Sequence, residues 1–251
     1  MDVPARGRGR CATQDTRIDS LLPVDAVDLV QSVRDALAAA GDPVRAEGQQ
    51  RYMKSAMPYR GIRSGELTAL LRPLFAAYQP PGRDAWARDV RRLWDGAEFR
   101  EERYAATKLA RHRRARGWQD PGVLPLYRHL VVTGAWWDHV DEIAGHLVGD
   151  VLRGHRDEVT PVIEAWARDE DLWLRRTAVL AQLHHREQTD TELLRHVVEA
   201  NVDDPSFWLR KAIGWALRSY AYTDPGWVRA EVDRLGARLS GLSRREALKH
   251  L

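Results

Sequence analysis

The segment WLRRTAVLAQL at residues 173–183 returns 35 residues later as WLRKAIGWAL at 208–217, aligning Trp173 with Trp208 and Arg176 with Lys211. Similar steps backwards land on Trp137 in AWWDHVDEIAGHL, then near Phe99 in EFREERYAATKLA. Each copy opens with an aromatic residue beside charge and continues as an amphipathic helix. A unit of 35 to 40 residues holds a helix pair but no core of its own, so it buries its apolar face only by stacking on its neighbours. The spacing therefore predicts an all-α, HEAT-like repeat solenoid of stacked antiparallel helix pairs. Its concave face would suit a rod-shaped partner: DNA, a helical peptide or another protein.

The rest of the chain carries helical periodicity as well. Residues 24–40 place Val27, Val30, Val33 or Arg34, and Leu37 on one face, and Gly41-Asp42-Pro43 ends that run. Further helices are predicted over 43–56 and 64–78, with breaks at Gln79-Pro80-Pro81-Gly82, Gly117, Asp120-Pro121-Gly122, Gly154, Asp204-Pro205 and Asp224-Pro225-Gly226. An aspartate directly before a proline reads as an N-cap with proline in the first turn. No stretch sustains the two-residue alternation of a strand. Residues 1–20 read as a disordered, partly basic arm, and 21–251 as one repeat domain. The single cysteine, Cys11, lies in that arm, so no intramolecular disulfide can form, which fits a reducing cytoplasm. There is no secretory signal or apolar run long enough to span a bilayer. Nucleoid association and a monomeric state are expected.

Net charge is only +3, but all but four of the 39 basic residues are arginine, the exceptions being Lys54, Lys108, Lys211 and Lys249. Arginine suits phosphate recognition, although a GC-rich codon bias gives the same enrichment. Arg175, Arg176, Arg210 and Lys211 fall near the starts of the two related helices, where phosphate binds well. The densest constellation is Trp136-Trp137-Asp138-His139-Val140-Asp141. On a helix Trp137 and Asp141 share a face, and Asp138 and Asp141 are three apart. An aromatic plane with a carboxylate suits a reaction that builds positive charge on a sugar. The same residues also suit a buried tryptophan beside solvated or capping aspartates. No HExxH zinc motif, Walker A loop, GxGxxG turn or GxSxG elbow occurs, and neither metal nor cofactor is expected.

Six strings, in order, make the chain resemble the AlkD family of bacterial DNA alkylpurine glycosylases: RYMKSAMPYRGI (51–62), LWDGAEFREERYAA (93–106), WWDHVDEI (136–143), DLWLRRTAVLAQL (171–183), FWLRKAIGWALRSYAYTDP (207–225) and SRREALKHL (243–251). The resemblance implies cofactor-free hydrolysis of the N-glycosidic bond of cationic N3- or N7-alkylated purines in duplex DNA, without base flipping. It implies Asp141 as catalytic carboxylate, Trp137 against the deoxyribose, Trp215 as a second aromatic wall, Arg176 on a phosphate and Tyr52 lining the cleft. Arg218, with Lys211, would contact the DNA backbone. No lysine neighbours the WWDHVD cluster in sequence, so a Schiff-base lyase step is not expected. Two substrate ranges stay open: methylated purines in housekeeping repair, and bulky minor-groove adducts in antibiotic self-resistance. The rival reading is a non-catalytic HEAT scaffold that binds DNA or protein.

Overall fold

The computed structural model describes residues 28–251, and the 1–20 arm, Cys11 and Val27 lie outside them. Among the described residues there are fourteen α-helices and no strand. The first three are α1 (Leu29–Ala39), α2 (Pro43–Met53) and α3 (Ser64–Ala77). Helix pairs follow: α4 (Arg83–Asp95) with α5 (Arg100–Ala110), then α6 (Leu124–Gly134) with α7 (Trp137–Glu142). Helix α7 runs through a π-helical turn, Ile143–Val148, into α8 (Gly149–Gly154). The remaining pairs are α9 (Arg156–Trp166) with α10 (Leu172–Leu180), α11 (Thr191–Glu199) with α12 (Phe207–Ala221), and α13 (Pro225–Leu235) with α14 (Gly241–Ala247).

The second helices of the pairs form one continuous layer, because α5 packs on α7, α7 on α10, α10 on α12 and α12 on α14. They begin at Arg100, Trp137, Leu172, Phe207 and Gly241, so successive starts are 34 to 37 residues apart. That is the interval read from the sequence. A middle helix of such a layer meets a neighbour on each side and its own partner behind. Along α10, Trp173, Leu174, Arg176, Thr177, Ala178, Val179 and Leu180 are accordingly all buried. End helices and outer helices keep a solvated face. On α11 only Leu193, Leu194, Val197 and Val198 are buried, the spacing of a single apolar stripe.

The caps follow the sequence with one exception. Asp42 and Asp224 cap α2 and α13 through the N–H groups of Arg45 and Trp227, each ahead of a proline, and Asp120 caps a short 3-10 turn. Asp204 does not cap α12. Ser206 does, while Asp204 accepts the Ser206 N–H and pairs with Arg175. Two intervening residues leave the aspartate outside the helix, so its carboxylate fixes the turn instead. Helix α2 also stops short of the predicted 56, at Met53, where Lys54 turns left-handed at φ 50°.

Close backbone approach fixes where the start of α8 meets the end of α10. A Cβ on Gly149 would lie 2.4 Å from the carbonyl oxygen of Ala181, while the Gly149 carbonyl itself accepts from His185 Nε2 at 2.9 Å. Propensity alone would make Gly149→Ala stabilising by up to about 1 kcal/mol. Overpacking against backbone should reverse the sign and cost about 1–3 kcal/mol, as measured by urea unfolding.

Candidate active site

The tight turn between α6 and α7 sets the start of the site. Gly134 lies against Trp94, with room for no Cβ (2.8 Å to the indole), and Ala135 is left-handed at φ 38°. Trp94 is itself pinned by its Nε1 donating to Thr133 Oγ1 at 2.8 Å. The chain then enters α7 with Trp136 as N-cap and Trp137 as its first residue.

Counting from each helix start, the fifth residue of the inner helices is Tyr104 on α5, Asp141 on α7, Arg176 on α10 and Lys211 on α12. Repeat stacking brings the middle two of this row together. Arg176 grips Asp141 with two parallel bonds, Nε to Oδ1 at 2.7 Å and Nη2 to Oδ2 at 2.9 Å, and its Nη1 donates to the Trp208 carbonyl. The side chains are 3% and 13% exposed, so this is a nearly dry ion pair with a narrow opening on the carboxylate side. Burial pushes the Asp141 carboxyl above its ordinary pKa, with help from the charge of Asp138, and Arg176 offsets only part of the rise. A guanidinium fork holds both carboxylate oxygens in a fixed plane.

One turn earlier, Asp138 is held from α5 instead of α10. It is held by Arg100 and by Tyr104, whose hydroxyl donates at 2.5 Å, and Tyr104 in turn bonds Tyr59 at 3.0 Å. Burial opposes the charge on Asp138, yet His139, Arg100 and Tyr104 together draw its pKa below the ordinary value. Two carboxylates within one helical turn thus sit in opposite environments, one pushed up and one pulled down. The segment carrying Tyr59 is fixed by Glu101, fully buried, which accepts the backbone N–H groups of Arg60, Gly61 and Ile62 at 2.9–3.1 Å. Gly61 is left-handed (φ +85°), and a Cβ there would strike the Asp42 carbonyl at 2.1 Å.

Comparison with known proteins supplies the context for this geometry. The family model for the DNA alkylation repair enzyme matches residues 33–251. The chain belongs to this DNA alkylation repair family. A solved structure described as a predicted DNA alkylation repair enzyme from Enterococcus faecalis superposes with a TM-score of 0.75 at 28% identity, over 84% of this chain and 96% of that one. No curated protein gives a match. The resemblance to the AlkD family and the all-α repeat fold are borne out. As a member of this family the chain is a DNA repair protein. No described helix is long and apolar enough to cross a membrane.

Of the residues singled out from sequence, Asp141 and Arg176 touch, and Trp137 lies one turn before Asp141, half-buried against the core. Trp215 is half-buried on α12, which packs on α10. Lys211 and Arg218 flank Trp215, but both reach Glu246 of α14. Tyr52 is 77% exposed and lines a cavity on the Asp138 side of α7. The four cations expected to face phosphate all have internal partners: Arg175 and Arg210 hold Asp204, Arg176 holds Asp141 and Lys211 holds Glu246. The aromatic register also shifts. Trp136, the N-cap of α7, and not Trp137 joins Trp173 and Trp208, with ring centroids 6.1 and 5.3 Å away.

Arg100, Tyr104, Tyr59 and Glu101 escaped the sequence reading. Arg100 and Tyr104 fall in EFREERYAA, and counting five from the helix start would have aligned Tyr104 with Asp141. His139 was also missed. It is 1% exposed, set edge-on to Trp94 and tilted against Tyr104, and neither ring nitrogen has a partner among the described residues. Burial drives its pKa down to about 3. Between about pH 6.5 and 3 the unfolded chain binds a proton that the native imidazole refuses, so stability falls as pH drops through this window, by at most about 1.4 kcal/mol per pH unit. His139→Phe should remove that contribution and add on the order of 1 kcal/mol at neutral pH, since two unpaired buried nitrogens disappear. Thermal melts between pH 7.5 and 5 would show the two curves diverging toward acid.

Proposed function

We propose that the protein is a monofunctional DNA glycosylase that hydrolyses the N-glycosidic bond of cationic N3- or N7-alkylated purines in duplex DNA. The observation that carries this reading is the Asp141 carboxylate, nearly dry, held bidentately by Arg176 and set one turn beyond Trp137. A cationic purine is already a good leaving group. The C1′–N9 bond breaks with its electron pair passing to the purine, which neutralises the ring. The sugar is left as an oxocarbenium-like cation. A fixed carboxylate in a poorly solvated site stabilises that charge far more than water does. Water oxygen then bonds C1′, and the proton it sheds passes to Asp141 or to solvent.

In this reading Trp137 packs on the deoxyribose and Trp215 forms the opposing wall. Arg176, buried with its Nε, Nη1 and Nη2 all engaged by Asp141 and the Trp208 carbonyl, would reach a phosphate beside the lesion only by turning part of its guanidinium out of that grip. Tyr52, Lys211 and Arg218 would follow the DNA backbone, the last two by exchanging Glu246 for phosphate. The carboxylate works from the wall of the cleft, so the lesion need not leave the stack.

The test is a duplex with a single N7-methylguanine, incubated with the protein and then treated with alkali to cut at abasic sites. Wild-type protein should cleave, and Asp141→Asn should lose at least about a hundredfold in excision rate while still binding the duplex. Undiminished excision by Asp141→Asn would remove that residue from the mechanism. Binding without excision of methyl or bulky minor-groove adducts would favour the scaffold reading. Because the Asp141 pKa is raised, excision should fall on the acid side at a higher pH than an ordinary aspartate would give. A single-turnover pH profile checks this, with the acid limb absent from the residual rate of Asp141→Asn.

A further inference from the structure

The cations that the sequence pattern offered to phosphate, Arg175, Arg176, Arg210 and Lys211, are all engaged by internal partners. A different segment carries cations that are not. Residues 108–116, KLARHRRAR, hold five lysines and arginines and no acid. They run from the last turn of α5 into a 3-10 turn, Arg113–Trp118. That turn is fixed from inside. Ala115 is buried, Gln119 donates to the Ala110 and Ala115 carbonyls at 3.3 and 3.1 Å, and Arg114 reaches the Ala76 carbonyl of α3 at 3.0 Å. Arg113 and Arg116 stay exposed, with no hydrogen-bond or ion-pair partner among the described residues. So does Arg72 of α3, which rims a groove of about 340 Å³ together with Lys108 and Arg111, over a floor of Leu71 and Phe75. Two carboxylates border the patch. Glu142 is shared by Arg111 at 3.4 Å and His146 at 3.8 Å, and Asp150 pairs with Arg153. The positive balance is felt by His112, whose pKa is pushed below its ordinary value by burial and by the charges of Arg113 and Arg114.

The patch shares the inner layer with Asp141. Lys108 and Arg111 follow Tyr104 by four and seven residues along α5, and Arg111 reaches Glu142, the residue after Asp141. Four to seven residues span about 6–10 Å of helix, and packed helices lie about 8–10 Å apart. The nearest cations of the patch are therefore roughly 10–14 Å from Asp141, which is the span of the wider B-DNA groove, about 12 Å. A duplex with one strand at Asp141 brings the phosphates across that groove over the patch. We propose that residues 108–116 and Arg72 form a phosphate clamp for the strand opposite the lesion. Arginine forks match phosphate oxygens, and contacts of this kind fix the position of a duplex without reading its sequence. The clamp rests on the glycosylase reading only in placing the lesion strand at Asp141.

Two double variants of equal charge test the clamp: Arg113→Ala with Arg116→Ala in the patch, and Arg88→Ala with Arg91→Ala on the outer helix α4. Circular-dichroism melts verify that both keep their fold. Binding of an undamaged duplex is followed by fluorescence anisotropy through a salt series. The patch variant should bind about tenfold or more weakly and flatten the slope of log affinity against log salt by about two units, one per lost phosphate contact. The α4 variant should do neither, and Arg113→Lys with Arg116→Lys should restore most of the slope. No change in the patch variant, or an equal change in both, would overturn the clamp. The strand is assigned with a duplex whose N7-methylguanine is made uncleavable by a 2′-fluoro sugar and whose phosphates are replaced, one strand at a time, by neutral methylphosphonates. Replacement opposite the lesion should weaken the wild type and leave the patch variant no weaker than before. A penalty confined to the lesion strand would overturn the assignment. The salt slope on undamaged DNA does not depend on excision. Its loss in the patch variant of a protein that excises nothing would keep the clamp and refute the glycosylase, and excision with an unaltered slope would do the reverse.

Discussion

The buried pair of Arg176 and Asp141 depends on the stacking of repeats and makes that stacking consequential. Each partner alone would be an expensive charge in a nearly dry place, and a buried pair of this kind offsets its desolvation only when its geometry is good. The geometry is good because α7 and α10 start 35 residues apart and pack side by side. A slip by one residue along either helix would rotate one partner by about 100° away from the other. The same pair that orients the proposed catalytic carboxylate therefore also holds the register of two repeats. Removing one partner would affect both at once, so the reaction and the fold need separate readouts.

The same 35-residue logic recurs across the outer layer. Arg234 reaches Glu199, Arg238 reaches Asp203 and Arg195 reaches Glu231, all pairs 35 or 36 residues apart. These bonds are mostly exposed and individually weak. Polar bonds to backbone add to them: Ser219 Oγ to the Leu183 carbonyl and Asn201 Nδ2 to the Ala167 carbonyl, spanning 36 and 34 residues. A solenoid has no long-range closure to fix its curvature, so many small register contacts between neighbours must set it.

Around α7, three devices converge on six residues. The left-handed Ala135 aims the helix start, Arg100 and Tyr104 hold Asp138, and a π turn begins immediately after Glu142. Such turns are uncommon and recur at functional sites. Here the π turn brings Gly149 to the α10 backbone while Asp141 keeps its place beside Arg176. His139, buried between two aromatic rings with no hydrogen-bond partner among the described residues, is the local cost of this arrangement.

The sequence alone determined the class of fold, the interval of the repeat and the identity of the unusual carboxylate cluster. Those follow from short-range periodicity and from a repeat that each unit writes in its own residues. The strings that resemble the AlkD family rest on the same local information. What the tertiary structure decided was which charge meets which. Arg175, Arg176, Arg210 and Lys211 read as free cations because their acceptors lie about 30 to 35 residues away along the chain or on backbone carbonyls. Asp138 and Asp141 look alike in sequence and differ only in what packs on them from α5 and α10. The cavity that Tyr52 lines is assembled from α2, α3, α5, α7 and the loop at 54–63, and of its walls the sequence reading had singled out only Tyr52. Periodicity is a property of neighbours along the chain, whereas ionisation and cavities belong to neighbours in space, and only folding brings the second kind together.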